Sequence, residues 1–122
     1  TNVLFLGFVN QKQISKYYNL SDVIVMPSEY ETWGLSINEA MASGCACLVS
    51  KETGCNEDLI KIKGKNQNGL IFDCGNIKSL TLKIKYFLDN KNKVSKWKKN
   101  SIKIIKQYTL NKTINSIKKG IK

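Results

Sequence analysis

The segment Asp22–Ser50 reads "DVIVMPSEYETWGLSINEAMASGCACLVS". "DVIVMP" is a short apolar run halted by Pro27, which has no N–H to give to a strand ladder. "LSINEAMASG" is a run of small and apolar residues that suits a helix closed by Gly44. "CACLVS" is a second short apolar run. Strands apolar on both faces and joined through a helix point to a parallel sheet wrapped by helices.

The same alternation extends outward. Upstream, "NVLFLGFV" is a continuous apolar run ending near Gly7, and is expected to be a further buried strand. "NQKQISKYYNL" places Ile14, Tyr17, Tyr18 and Leu20 at helical spacing, with Asn10 as N-cap. Downstream, "NEDLIKI" suits a short helix capped by Asn56, and "GLIFD" a fourth strand. From Asn76 the period becomes helical. Leu80, Leu82, Ile84, Phe87 and Leu88 fall on one broad face, followed by Val94, Trp97, Ile104, Ile105 and Tyr108. A last helix from Leu110 to Lys119 keeps Ile114, Ile117 and Ile121 on one stripe. These stripes are read as core contacts. The fold class is α/β, a Rossmann-like parallel sheet followed by C-terminal helices.

At 122 residues the chain amounts to one domain, and no apolar run approaches the roughly 20 residues that cross a bilayer. It opens with neither an initiator methionine nor a signal pattern, and is expected to be part of something longer. The net charge of +11 raises the question of nucleic acid, but all 20 basic residues are lysine. Arginine, the fork that reads phosphates and guanine edges, is absent, so no nucleic acid is expected as partner. A lysine-rich face meeting an anionic membrane surface fits the charge better, and a solvated lysine-rich surface stays the default reading. Cys45, Cys47, Cys55 and Cys74 include no CxxC pair, and there is no histidine to complete a zinc site, so no metal is expected. Cys45 and Cys47 are expected on one side of a strand as small buried side chains. Free thiols of this kind suit a cytoplasmic setting.

Two glutamates stand out inside the opening segment. Ser36 and Glu39 form S-x-x-E, the spacing of a capping box at a helix start. Glu31 sits in the loop beside Trp33 and Gly34, with no cap to make and no evident ion partner. In open α/β sheets ligands bind beyond the carboxyl ends of strands, where this loop leads into a helix N-terminus. Unpaired N–H groups there suit a diphosphate, and Gly34 has no side chain to block its approach. Carboxylates on either side accept hydrogen bonds from vicinal hydroxyls. The order ribose, diphosphate, sugar of a nucleotide-sugar matches that arrangement.

"PSEYETWGLSINEAMASG" resembles the E-x7-E signature of the retaining GT-B glycosyltransferases of group 1 (family 4). "FLGFV", "YYNLSDVIVMPS", "TGCNEDLI" and "NGLIFDCGNIKSL" follow the family order, so the likeness runs from Val3 to Leu88. It implies that Glu39 holds the ribose hydroxyls and that Glu31, the catalytic candidate, contacts the transferred sugar. Backbone N–H groups of Trp33, Gly34 and Leu35 would meet the diphosphate or sugar. Gly54 and Glu57 fall on the family's G-x-x-E element and are read as structural, a turn and a helix start. Thr32, Trp33, Ala46 and Thr53 depart from frequent family residues, but neither carboxylate is lost. The implied substrates are a UDP- or GDP-sugar and a saccharide or lipid-linked acceptor, with no cofactor, in glycan or surface polysaccharide synthesis. The implied place is the cytoplasm, and a peripheral position at the inner face of the membrane is expected from the lysine charge alone. The family's basic pair that steadies the leaving diphosphate has no counterpart here. The chain is therefore expected to be the C-terminal part of the donor-binding domain, inactive without the rest of the protein. Rival readings are another GT-B enzyme such as a sugar-nucleotide epimerase, a non-catalytic glycosyltransferase-like module, and a basic nucleic-acid-binding domain.

Overall fold

Three of the apolar runs pair into one parallel sheet in the computed structural model, which describes residues 2–108 and 110–120. The elements are α1 (Gln11–Leu20), β1 (Val23–Met26), α2 (Leu35–Ala42), β2 (Ala46–Ser50), α3 (Asn56–Leu59), β3 (Gly69–Phe72), α4 (Ile77–Asp89), α5 (Lys91–Lys106) and α6 (Leu110–Gly120). The strands lie in the order β1-β2-β3, with Val23 opposite Ala46 and Cys47 opposite Gly69. Every residue of β2 is buried, as a central strand covered on both faces requires.

The pleat divides the apolar side chains between two cores. Ile24, Met26, Cys47, Val49 and Ile71 face one layer, where Ile37 and Met41 of α2, Leu59 of α3 and Ile104 of α5 meet them. Val23, Ala46, Leu48, Leu70 and Phe72 face the other, covered by Leu80 and Phe87 of α4 and by Val94 and Trp97 of α5. α5 contributes to both layers because it runs along the amino ends of the strands. Lys98 pairs with Asp22 just before β1 at 2.7 Å. Ser101 accepts from Asn68 just before β3 at 3.4 Å, and Asn100 donates to the carbonyls of Lys65 and Gln67. Asn68 is wholly buried, and its amide also donates to Leu59 and accepts from the Lys61 N–H. A buried amide is tolerable only when satisfied in this way. With α5 occupying the amino edge, the carboxyl edge is left for a site.

Several expectations are corrected. The run "NVLFLGFV" is not a strand: residues 2–10 are irregular and exposed save for half-buried Val9, with Phe5 at 92% and Phe8 at 94%. Strand geometry persists only where a neighbour takes up the backbone groups, and no described strand lies beside this run. Asn10 does cap α1, accepting from the Gln13 N–H, but only Ile14 and Tyr18 of its apolar residues are half-buried. Asn56 does not cap α3; Cys55 holds the cap position and Asn56 is the first helical residue. Cys45 precedes β2 instead of lying within it, though both it and Cys47 are buried. On α4 the core takes Leu80, Tyr86 and Phe87, while Leu82, Ile84 and Leu88 stay exposed, since one helix can bury only one arc of its surface. On α6, Ile114 and Ile117 are exposed, and Ile121 lies outside the described residues.

Trp97 stacks on Tyr86 with ring centroids 6.0 Å apart and meets the edge of Phe87 at 5.5 Å. Trp97→Ala is expected to cost about 3–5 kcal/mol of unfolding free energy, read as a lower urea midpoint. Exposed Leu82→Ala should move it by less than about 1 kcal/mol.

Candidate functional site

The site is built where β1 and β2 end. Beyond Pro27 the chain runs out to Glu31, which forms an isolated parallel bridge with Thr53 in the turn after β2. The Gly54 N–H donates to the Glu31 carbonyl at 2.8 Å, and the Cys55 N–H donates to the Trp33 carbonyl at 3.0 Å. The two loops therefore run as one ribbon past the sheet edge. Contact is so close that a Cβ on Gly54 would stand 1.8 Å from the Thr32 carbonyl oxygen. Only glycine fits there, which gives the family element its physical content.

Buried hydroxyls fasten the ribbon from below. Ser50 donates to the Ser28 carbonyl at 2.6 Å and shares a 3.2 Å hydrogen bond with Thr53, and both side chains are fully buried. Thr53, one of the departures from the frequent family residues, is thus the bridge partner of Glu31. Its methyl group also backs Gly34, lying 3.3 Å from where a Cβ there would be.

Gly34 is the N-cap of α2, at φ +97°, a left-handed conformation that side-chain-bearing residues seldom adopt. This placement overturns the capping box. Ser36 is already the second residue of the helix, and no side chain among the described residues caps the helix start. Ile37 bonds back to the Gly34 carbonyl, which leaves the N–H groups of Leu35 and Ser36 without an intrahelical acceptor. Glu39, a turn further on, is released from capping. Its carboxylate is half-buried and accepts from the Gln11 side chain at the start of α1, at 2.9 Å. Trp33 is half-buried, packs its ring against the core and donates its indole N–H to Asn38 at 3.1 Å.

All five residues singled out from the sequence therefore lie on one stretch, Glu31, Trp33, Gly34 and Leu35 leading into α2 and Glu39 within it. Gln11, Ser50 and Asn38 were missed. Each acts through a contact distant in sequence or through a polar side chain with no motif of its own. Lys51 lies at the carboxyl end of β2 but is turned to Asp73 beyond β3, at 2.6 Å, and that carboxylate raises the ammonium pKa. Burial pushes the Cys55 thiol, beneath Gly34, up to about 11, with Asp58 and Glu31 adding to the rise. It is a filler side chain, not a nucleophile. A hollow of about 170 Å³ lined by Pro27, Glu29, Phe72, Cys74 and Ile77 opens beside the ribbon. A larger one, about 320 Å³ and lined by Asp58, Lys61, Lys63 and Tyr108, lies past the end of α3, away from both glutamates.

Gly54→Ala is expected to push the Thr32 carbonyl aside. Amide resonances of Glu31–Trp33 should shift or broaden while those of β2 hold, with roughly 1–3 kcal/mol lost in stability. Thiol labelling of the native protein at pH 8 should modify half-exposed Cys74 first. Cys45, Cys47 and Cys55 should react only on unfolding, because raised thiol pKa values leave little thiolate at that pH.

Comparison with known proteins gives this geometry its family. The family model described as glycosyl transferases group 1 matches residues 1–104. The sulfoquinovosyl transferase of Arabidopsis thaliana is 32% identical over 88 residues, 72% of this chain and 17% of that protein. Among solved structures, the sucrose-phosphate synthase of Thermosynechococcus elongatus superposes with a TM-score of 0.79 at 22% identity, covering 97% of this chain and 30% of that one. The catalytic domain of starch synthase IV from Arabidopsis thaliana, bound to ADP and acarbose, does so at 0.55 and 25% identity, over 70% and 18%. The chain spans less than a fifth of the length of the curated relatives it matches. The parallel sheet and its helices are those of part of a Rossmann-like GT-B domain. The chain belongs to the group 1 glycosyl transferases.

Proposed function

We propose that this chain is the C-terminal part of the donor-binding domain of a retaining family 4 glycosyltransferase. The whole protein would move a hexosyl group from a nucleotide-sugar to a saccharide or lipid-linked acceptor, in glycan or surface polysaccharide synthesis. One observation carries the reading: an α2 N-terminus with no side-chain cap, left-handed Gly34 at its head, and Glu31 and Glu39 on either side.

The chemistry follows from that arrangement. The N–H groups of Leu35 and Ser36, with the positive end of the helix dipole, attract the diphosphate. Glu39 exchanges its bond to Gln11 for two hydroxyls of the ribose, a charge-assisted pair stronger than a neutral one. Glu31, its backbone held by Thr53 and Gly54, accepts from hydroxyls of the transferred sugar and sets the anomeric carbon. Fixed donors and acceptors of this kind lower the barrier by placement and by charge stabilisation. Departure of the diphosphate needs cations that the described residues do not bring to the ribbon, where Lys51 is paired with Asp73. The remainder of the protein would supply them. ADP in the starch synthase structure supports a nucleoside diphosphate as the ligand class.

Isotope-labelled protein titrated with UDP, GDP, ADP and their sugar conjugates should show amide shifts clustered at Trp33–Glu39, with one base preferred. Glu39→Ala should weaken binding about ten- to a hundredfold, the worth of a charged hydrogen-bond pair. Glu31→Gln should leave the free diphosphate nucleotide unaffected and remove the added affinity of the sugar conjugate. Absence of any shift in the intact protein, with no sugar transferred from any of these donors, would overturn the assignment.

A further inference from the structure

We infer that α5 and α6 form a docking face for an anionic lipid surface, independently of the donor site. The positive charge is unevenly distributed. Residues 1–89 hold nine lysines and nine carboxylates and are neutral, whereas residues 90–122 hold eleven lysines and no carboxylate. The entire net charge of +11 therefore belongs to the last third of the chain.

The helix geometry gives that charge a direction. On α5 the core takes Val94, Trp97, Ser101 and Ile104. Lys96, Lys99, Lys103 and Lys106, at steps of three, four and three, share the opposite arc, and all four are exposed. Lys98 is spoken for by Asp22, and Lys93 lies against Tyr86, 3.1 Å from its hydroxyl. The four on the stripe have no carboxylate partner among the described residues. Like charges in line on a helix repel one another. An external array of anions relieves that repulsion.

The next helix indicates which array. α6 also lacks acidic residues, and Ile114 and Ile117, one turn apart, are 39% and 57% exposed. Lys118 and Lys119 follow beside them. Phosphates of a nucleic acid would meet the lysines and leave these isoleucines in water. A lipid interface takes both, headgroups against the ammonium groups and acyl chains against the apolar stripe.

Co-flotation of the intact protein with vesicles of phosphatidylcholine, with and without phosphatidylglycerol, tests this. Binding is expected only to the anionic vesicles and should fall as salt is raised. Replacing Lys96, Lys99, Lys103 and Lys106 by Gln keeps helix propensity, and circular dichroism confirms the fold. It should lower partitioning roughly fivefold per lysine, several hundredfold in all. Ile114→Ser with Ile117→Ser should weaken binding to the same vesicles without changing its salt dependence. Equal binding to neutral vesicles, full binding by the four-lysine variant, or displacement by a single-stranded oligonucleotide at lower concentration than by lipid would each overturn the proposal.

Discussion

Everything at the carboxyl edge of this domain's sheet hangs on the pairing of Glu31 with Thr53. A loop that leaves a strand and must turn into a helix has many conformations. Holding one of them costs about 1–2 kcal/mol of backbone entropy per residue. Here the cost is offset by two backbone hydrogen bonds from the turn after β2, by a buried Ser50–Thr53 hydroxyl pair, and by the close passage of Gly54 beneath Thr32. The consequence reaches the chemistry. Once the ribbon is fixed, Gly34 must take a left-handed turn, α2 must begin at Leu35, and its first N–H groups must point out past the sheet.

The two edges of the sheet solve opposite problems. At the amino edge, buried polar groups are fully used: Asn68 satisfies Leu59, Lys61 and Ser101, and Lys98 closes on Asp22. At the carboxyl edge the helix start is left without a cap, so donors there face outward unpaired. A domain stabilised at both edges alike would have no unpaired donors left to offer the phosphate of the proposed ligand. The arrangement concentrates rigidity below the sheet and keeps unsatisfied hydrogen-bonding capacity above it.

Glu39 shows how one residue type serves two readings until position decides. The S-x-x-E spacing with Ser36 is that of a capping box, and a helix beginning two residues later would have made it one. With Gly34 as N-cap, Ser36 lies too far into the helix, and Glu39 stands in the second turn against Gln11. A side-chain amide is a modest partner for a carboxylate, and it can yield to ligand hydroxyls without leaving a charge stranded in the core. The lysines follow a similar logic on the other side of the molecule. On α5, Lys98 has found Asp22 and Lys93 lies by Tyr86, whereas Lys96, Lys99, Lys103 and Lys106 have no carboxylate partner among the described residues.

The sequence by itself determined the alternation of short apolar strands and amphipathic helices, because continuous apolar runs and a period of about 3.6 are written locally. It also marked the segment of the candidate site, because Pro27, Gly34 and two glutamates are local signals of a strand end, a turn and a helix start. It overcounted strands at "NVLFLGFV", since apolar composition does not reveal whether a neighbour exists to accept the ladder. It could not place Asn68, Ser50 or Gln11, whose value comes from partners distant in sequence. Nor could it tell which arc of α4 the core would take, leaving Leu82, Ile84 and Leu88 outside. Only the tertiary structure decided that Thr53 locks Glu31 and that Gly54 must be glycine, for both depend on two loops meeting in space.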